Sequence, residues 1–342
     1  MVNLKRKAVK LSDVASDAGV STATVSRVIN GDRKVKEVTR EKVAKSIARL
    51  GFSPNQAARK LAGANPVRIG LIYTNPSSAY LGELLVGALN AASSVGASVS
   101  VLGADTDMSP REIAEGYGAQ FDALIVPPPL SDFNGVRKIV RDYDIPAAFL
   151  SSAAGEEGGF EIRIDDYAAS KQVVQLLIEK GHTRIGLIKG HPNQTVSEVR
   201  FQGYRDALIE AGISVDPSLV SQGFFTYRSG VDAANELLGL NPRPTAIFAC
   251  NDEMAAGALS AAARHQMSVP RDLSLVGFDD SPLATHLWPS LTTVRQPVAE
   301  MAARAVELIN RAIGKRSKSA EPEVVYHAHV LIERESVSVP PY

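Results

Sequence analysis

The sequence predicts a small all-α head joined to an α/β body of parallel sheets arranged in two lobes. Two short helices about a glycine turn predict the head, and apolar strands alternating with helices beyond residue 66 predict the body. The charge divides at the same place. The 342-residue chain balances 37 basic against 37 acidic residues, yet residues 1–65 carry 14 Lys and Arg against 5 Asp and Glu. A basic head on an acidic remainder is the asymmetry of a DNA-binding module joined to something else.

In the head, Leu11, Val14, Ala15 and Ala18 recur at helical spacing, and Gly19 ends that helix in a sharp turn. Ser21 is a good N-cap for a second helix over Thr22–Asn30. On it Val25, Val28 and Ile29 share one side, while Thr22, Ala23, Ser26, Arg27 and Asn30 share the other. Two short helices with a donor-rich outer face on the second form a helix-turn-helix. Its second helix fits the major groove, with Thr22, Ala23 and Arg27 nearest the base edges and Ser21 and Thr24 at its start. A third helix over residues 39–50 closes a small core with Val43, Ile47 and Leu50. Pro54 and Gly63 bracket a fourth, about two turns long and too short to be stable alone. The expected domains are therefore 1–52, a linker and hinge helix at 53–65, and a body at 66–342.

The body opens with a buried-type strand over Val67–Tyr73, then a helix over Leu81–Ser94 and strands at Ser98–Leu102, Phe121–Val126, Ile145–Leu150 and Phe160–Ile164. Helix Ala168–Lys180, strand Arg184–Lys189, helix Val199–Ala211, strand Thr245–Cys250, helix Glu253–His265 and strand Leu273–Phe278 follow. So many strands imply two sheets with a cleft between, and Leu291–Gln296 and Val324–Ile332 are placed to cross between lobes. In open α/β sheets ligands bind beyond the carboxyl ends of strands. The polar residues there are Ser77, Ser78 and Tyr80, then Asp165, Arg200, Asn251 and Asp252, and Asp279 and Asp280. Carboxylates accept from paired hydroxyls, Arg and Asn donate, and a ring from Phe224, Phe225 or Tyr227 covers the apolar face of a sugar. Asp165 and Asp252 equally fit caps for the helices that follow them.

The runs LSDVASDAGVSTATVSRVIN, TREKV and SPNQAARKLAG, in that order and spacing, resemble the lactose-repressor (LacI/GalR) family of bacterial transcription factors. The resemblance continues through GHTRIGLIKG, RFQGYRDAL, RPTAIFACNDEMAAGAL, VPRDLSLVGFDD and PSLTTVRQP, to about Ile332. It implies a periplasmic-binding-protein-like body, with effector contacts from Asp165, Arg200, Phe225, Asn251 and Asp279. It also implies a hinge helix carrying Asn55, Ala58 and Leu61 that folds on DNA, with Leu61 wedged into the minor groove. Such a wedge unstacks a base step at a cost of a few kcal/mol, returned by contacts. Lys10 and Lys36 stand where the family favours capping hydroxyls.

The expected function is a dimeric transcriptional repressor on a near-palindromic double-stranded operator, released by a small mono- or disaccharide. A purine or other non-sugar corepressor is the alternative. Dimers are favoured over tetramers because no leucine heptads follow the last body strand. The sequence holds no G-x-S-x-G, G-x-G-x-x-G or P-loop, so neither enzymatic turnover nor a cofactor is expected. His327 and His329 lack a third ligand nearby, so no metal is expected. Cys250 reads as a buried structural thiol, and the Asn193–Thr195 sequon as inert. One cysteine, no export signal and no long apolar run together predict a cytoplasmic protein away from the membrane.

Overall fold

The computed structural model describes residues 11–29, 35–50, 66–74, 77–103, 120–152, 159–314 and 323–341. Two compact units divide between Pro66 and Val67. Asn30, Asn55, Ala58 and Leu61, and with them the whole expected hinge helix, lie outside the described residues.

The first unit holds α1 (Leu11–Ala18), α2 (Thr22–Ile29) and α3 (Glu37–Leu50). Val14, Ala15, Val25 and Val43 form its buried core, with Leu11, Ala18, Val20, Val28, Ile47 and Leu50 packed around them. Gly19 takes φ +67°, the left-handed turn that a side chain would oppose. α3 begins two residues before the expected Thr39, because the Lys36 carbonyl accepts from the Thr39 and Arg40 amides. A polar tie reinforces the small core. Asp17 of α1 accepts from Ser46, and from Arg49 Nη2 at 2.5 Å, both on α3. These bonds hold the Asp17 carboxyl below the usual carboxylate range.

The second unit consists of two lobes. Lobe one is a six-stranded sheet in the order β11-β5-β4-β3-β1-β2, from β1 (Arg68–Tyr73), β2 (Ser98–Gly103), β3 (Ala123–Val126), β4 (Ala147–Leu150), β5 (Phe160–Arg163) and β11 (Val324–Tyr326). Every pairing is parallel, with Leu71 opposite Val101 and Ile125 opposite Ala148. Successive side chains point to opposite faces. Ile69 and Leu71 therefore join Leu84, Ala88 and Ala92 of α4 (Ser78–Val95) and the apolar stripe of the Val298–Gly314 helix on one side. Ile72, Leu124, Val126 and Phe149 join Val136 and Val140 of α5 (Asn134–Asp142) on the other.

Lobe two is a four-stranded parallel sheet, β7-β6-β8-β9, from β6 (Ile185–Lys189), β7 (Val220–Gln222), β8 (Ala246–Ala249) and β9 (Ser274–Val276). It carries α6 (Asp166–Glu179), α7 (Thr195–Glu210), α8 (Tyr227–Leu238), α9 (Asp252–Arg264) and α10 (Pro282–His286). The chain crosses between lobes after β5, again between β10 (Thr293–Arg295) and α11 (Val298–Gly314), and last between β11 and β12 (Val330–Ile332). β10 and β12 pair antiparallel, Val294 opposite Leu331. Both late segments thus cross as the sequence suggests. Among the described residues five helices and strands go beyond the expected set: α5, β7, α8, α10 and α11.

Candidate functional site

In the head, Ser21 caps α2 by accepting from the Thr24 amide at 3.1 Å, and its hydroxyl lies 2.9 Å from that of Thr24. Those two groups are occupied in holding the helix. Thr22, Ala23 and Arg27 stand exposed, and Ser26 is half-buried beside them. A small exposed surface with one cation near its end can approach base edges in a groove closely, which bulky side chains would prevent.

In the body, the carboxyl ends of strands from both lobes converge on a cleft of ≈ 390 Å³, counting its solvent-open mouth. Lobe one contributes Ser77, Tyr80, Pro128 and Ser151; lobe two contributes Gln194, Val196, Arg200, Phe225, Asn251 and Asp279; Gln296 comes from a crossing segment. Three of these liners, Ser151, Phe225 and Asp279, have φ of +47°, +60° and +115°. Non-glycine residues held there cost about 1–3 kcal/mol each and concentrate at binding sites.

Arg200 is the cation of the cleft. It is 3 % exposed and belongs to the buried face of α7. Nε donates to Asp166 Oδ1 at 2.8 Å, Nη2 approaches the same oxygen at 2.7 Å, and Nη1 donates to the Cys250 carbonyl at 2.6 Å. The guanidinium stacks 3.7 Å above the Phe278 ring. Burial pushes the Asp166 carboxyl up, while the guanidinium beside it pulls it back down. The Phe225 ring is fixed from behind: a Cβ on Gly190 would sit 2.0 Å from its Cζ. Its carbonyl accepts from Asn251 Nδ2 at 3.1 Å.

Asp279 receives Gln296 Nε2 at 2.6 Å. Burial first, and the negative charge of Asp252 second, raise its carboxyl far above the usual range, against the pull of Arg200. Gln296 Oε1 is buried with no hydrogen-bond partner among the described residues. A buried acceptor left open costs free energy, so this oxygen is one that a ligand hydroxyl or N–H would satisfy. On the lobe-one wall the Tyr80 hydroxyl lies 3.0 Å from Ser151 Oγ, and burial keeps that phenol protonated well above its ordinary range.

Of the residues singled out from sequence, Ser77, Tyr80, Arg200, Phe225, Asn251 and Asp279 come together here. Asn251 is also the N-cap of α9, accepting from the Met254 amide at 2.9 Å. Asp165 does not line the cleft; it is exposed and caps α6 by accepting from the Ala168 amide at 2.9 Å. The next residue, Asp166, is the one that engages Arg200. Asp252 is buried behind the cleft, accepting from Ser281 and Thr293. Ser78 starts α4, but its side chain is outside the described residues; Ser77 lines the cleft and caps that helix. Sequence reading passed over Ser151, Gln194 and Gln296. A strand-end rule finds both Ser151, which follows Leu150, and Gln296, which ends the expected Leu291–Gln296 segment and follows β10. Cys250 is buried as expected, its thiol pushed up to about 12 by burial. The described residues contain no cluster of three potential metal ligands and no helix long and apolar enough to cross a membrane.

A helix-turn-helix head on a two-lobed α/β cleft defines a class, the DNA-binding transcriptional regulators. Residues 10–55 match the family model described as bacterial regulatory proteins, lacI family, and residues 174–337 match the periplasmic binding protein-like domain. Catabolite control protein A of Priestia megaterium is 33 % identical over 331 residues, covering 96 % of this chain and 99 % of that protein. The transcriptional regulator CelR of Thermobifida fusca is 34 % identical over 343 residues, 97 % and 99 % covered. The transcriptional repressor PurR of Histophilus somni (strain 2336) is 30 % identical over 331 residues, 96 % and 98 % covered. A solved CelR–cellobiose complex superposes with a TM-score of 0.73 at 31 % identity, covering 96 % of this chain and 99 % of that one. The lac repressor dimer bound to operator and an anti-inducer gives 0.70 at 26 % identity, with 97 % and 100 % covered. The chain belongs to the LacI family of bacterial regulatory proteins.

Proposed function

We propose that the protein is a homodimeric repressor that binds a near-palindromic operator and releases it when a small saccharide occupies the body cleft. The observation that carries the saccharide is the polarity of the cleft. Arg200 donates, Asp279 accepts, Gln296 Oε1 offers an open acceptor, and the Phe225 ring supplies an apolar face. A pyranose presents hydroxyls around its rim and C–H groups on its face, which matches that set. The cellobiose bound by CelR supports the same chemistry in a relative covered along nearly its whole length.

On the DNA side, Thr22, Ala23, Ser26 and Arg27 read the major groove, and Ser21 and Thr24 hold the helix that presents them. Asn30, Asn55, Ala58 and Leu61 complete the interface, with Leu61 as the minor-groove wedge. A two-fold dimer imposes two-fold symmetry on its site. The protein acts by shifting between states without turning over its effector, and the shift requires different effector affinity in the two states. A thermal-shift screen against mono- and disaccharides and purines, followed by operator titration at fixed salt with each hit, tests the reading. A sugar that stabilises the body and weakens operator binding supports it. Stabilisation by purines alone, with operator binding strengthened, replaces the saccharide by a corepressor.

A further inference from the structure

α7 carries Arg200, and Gln194 at its N-cap position makes no side-chain capping bond. The cap comes from the other lobe. Asp132 closes a 3-10 turn (Leu130–Asp132) after β3 in lobe one. Its Oδ2 accepts from the Thr195 amide at 2.8 Å, and its Oδ1 from the Thr195 hydroxyl at 2.7 Å. A helix N-terminus leaves its first amides without intrahelical partners and carries partial positive charge, so a carboxylate suits it on both counts. Asp132 is itself anchored from behind. Ser152 Oγ donates to it at 2.5 Å, and Arg137 Nη2 donates to Ser152 Oγ at 3.0 Å. Arg137 in turn is a buried partner of Glu161 and donates to the Ser131 carbonyl at 2.8 Å. A rigid polar core in lobe one thus ends in a carboxylate that completes a helix of lobe two.

We infer that Asp132 is the closure latch of the cleft: it holds the lobes together by capping the helix that bears Arg200, and is a positioning residue for that cation. Opening the cleft pulls the carboxylate off Thr195 and takes the Asp132 cap from the first turn of α7, five residues before Arg200. Closing it restores the cap and sets Arg200 opposite Tyr80 and Ser151. The latch itself is independent of what the cleft binds. Only its consequence for affinity, a stronger effector grip in the latched form, rests on the function proposed above.

Hydrogen–deuterium exchange of the full-length protein without added ligand tests the latch. Asp132→Ala should speed exchange across the first turn of α7, Thr195 to Glu198, by about tenfold, while strands β6 and β8 keep their protection. Asp132→Asn retains one capping acceptor and should restore most of the protection. Thr195→Val removes only the hydroxyl bond and leaves lobe one untouched, so it should give a smaller rise at the same amides. Unchanged exchange in both Asp132→Ala and Thr195→Val would overturn the latch, as would loss of protection spread evenly over lobe one. A saccharide screen without hits refutes the effector reading and leaves these exchange rates unaffected, so the two fail separately.

Discussion

Removing the Arg200 guanidinium tests whether the floor of the cleft is built as described. In Arg200→Met the buried Asp166 carboxylate loses both of its contacts from that side chain, the Cys250 carbonyl loses its donor, and the stack on Phe278 is lost. Breaking one partner out of a buried pair strands a charge and costs about 3–5 kcal/mol. For a body of this size that lowers the thermal midpoint by roughly 6–20 °C. Asp166→Leu combined with Arg200→Met removes the stranded charge and should recover at least half of the loss. Neither variant retains the cation, so both should bind the effector more weakly by a hundredfold or so, as expected for about 3 kcal/mol of charge-assisted hydrogen bonding. Denaturant titration followed by circular dichroism gives the stabilities, and calorimetry with the effector hit gives the affinities. An Arg200→Met protein within about 0.5 kcal/mol of wild type would refute the buried pair. Recovery of effector affinity together with stability in the double variant would refute the donor role.

The other predictions concern the ring, the head and pH. Gly190→Ala places a methyl where the Phe225 ring lies, 2.0 Å from Cζ, so the ring must move; effector affinity should fall about tenfold with the fold kept, read by calorimetry. Ser21→Ala removes the α2 cap and should cost the head about 1 kcal/mol, seen as an earlier unfolding step and weaker operator binding. The Asp279 carboxyl is raised in the folded body, so its contribution to stability is full below its unfolded value of ~4 and is lost as pH rises above it; Asp252 acts with the same sign. Relative to Asp279→Asn, the wild-type denaturant midpoint should therefore decline between pH ~4 and about 8 and level off above it. Leu61→Ala should weaken specific operator binding far more than nonspecific binding; equal losses in a gel-shift titration at fixed salt would remove the wedge.

Much of the fold is legible because buried parallel strands are written as continuous apolar runs. Arg68–Tyr73 and Ile185–Lys189 lie inside the expected segments, and the head follows from Gly19 and Ser21. The omissions have physical causes. β7 is three residues long at a sheet edge, with Ser221 and Gln222 in it, and so shows no apolar run. α5 shows only a short stripe, Val136 and Val140, amid charged neighbours. α8 starts with a capping box closed by Ser229 in place of the usual Glu or Gln. α11 was readable from Met301, Ala302, Ala305, Val306, Leu308 and Ile309, a plain amphipathic stripe. α7 starts at Thr195, four residues before the expected Val199, because its cap is Asp132 from the other lobe. No local pattern encodes a cap supplied from 63 residues away.

The same distinction governs the cleft. A polar residue at a strand end has two uses, to cap the helix that follows or to face a ligand, and sequence position alone does not separate them. Asp165 caps, Asn251 caps while lining the cleft, and Asp252 ties the Ser281 and Thr293 segments together. What separates the uses is the partner left over after internal bonds are made. Asn251 Oδ1 is occupied by Met254, and its Nδ2 holds the Phe225 carbonyl, so its first duty is to keep that strained residue and its ring in place. Gln296, the first residue after β10, binds Asp279 through its amide and leaves Oε1 buried and open. The discriminating contact of the cleft is therefore expected at Gln296. Gln296→Glu keeps the shape and the acceptor but removes the donor to Asp279 and adds charge beside it, whereas Gln296→Leu removes the open acceptor altogether. If effector affinity survives Gln296→Leu unchanged, the open oxygen is not where the ligand binds.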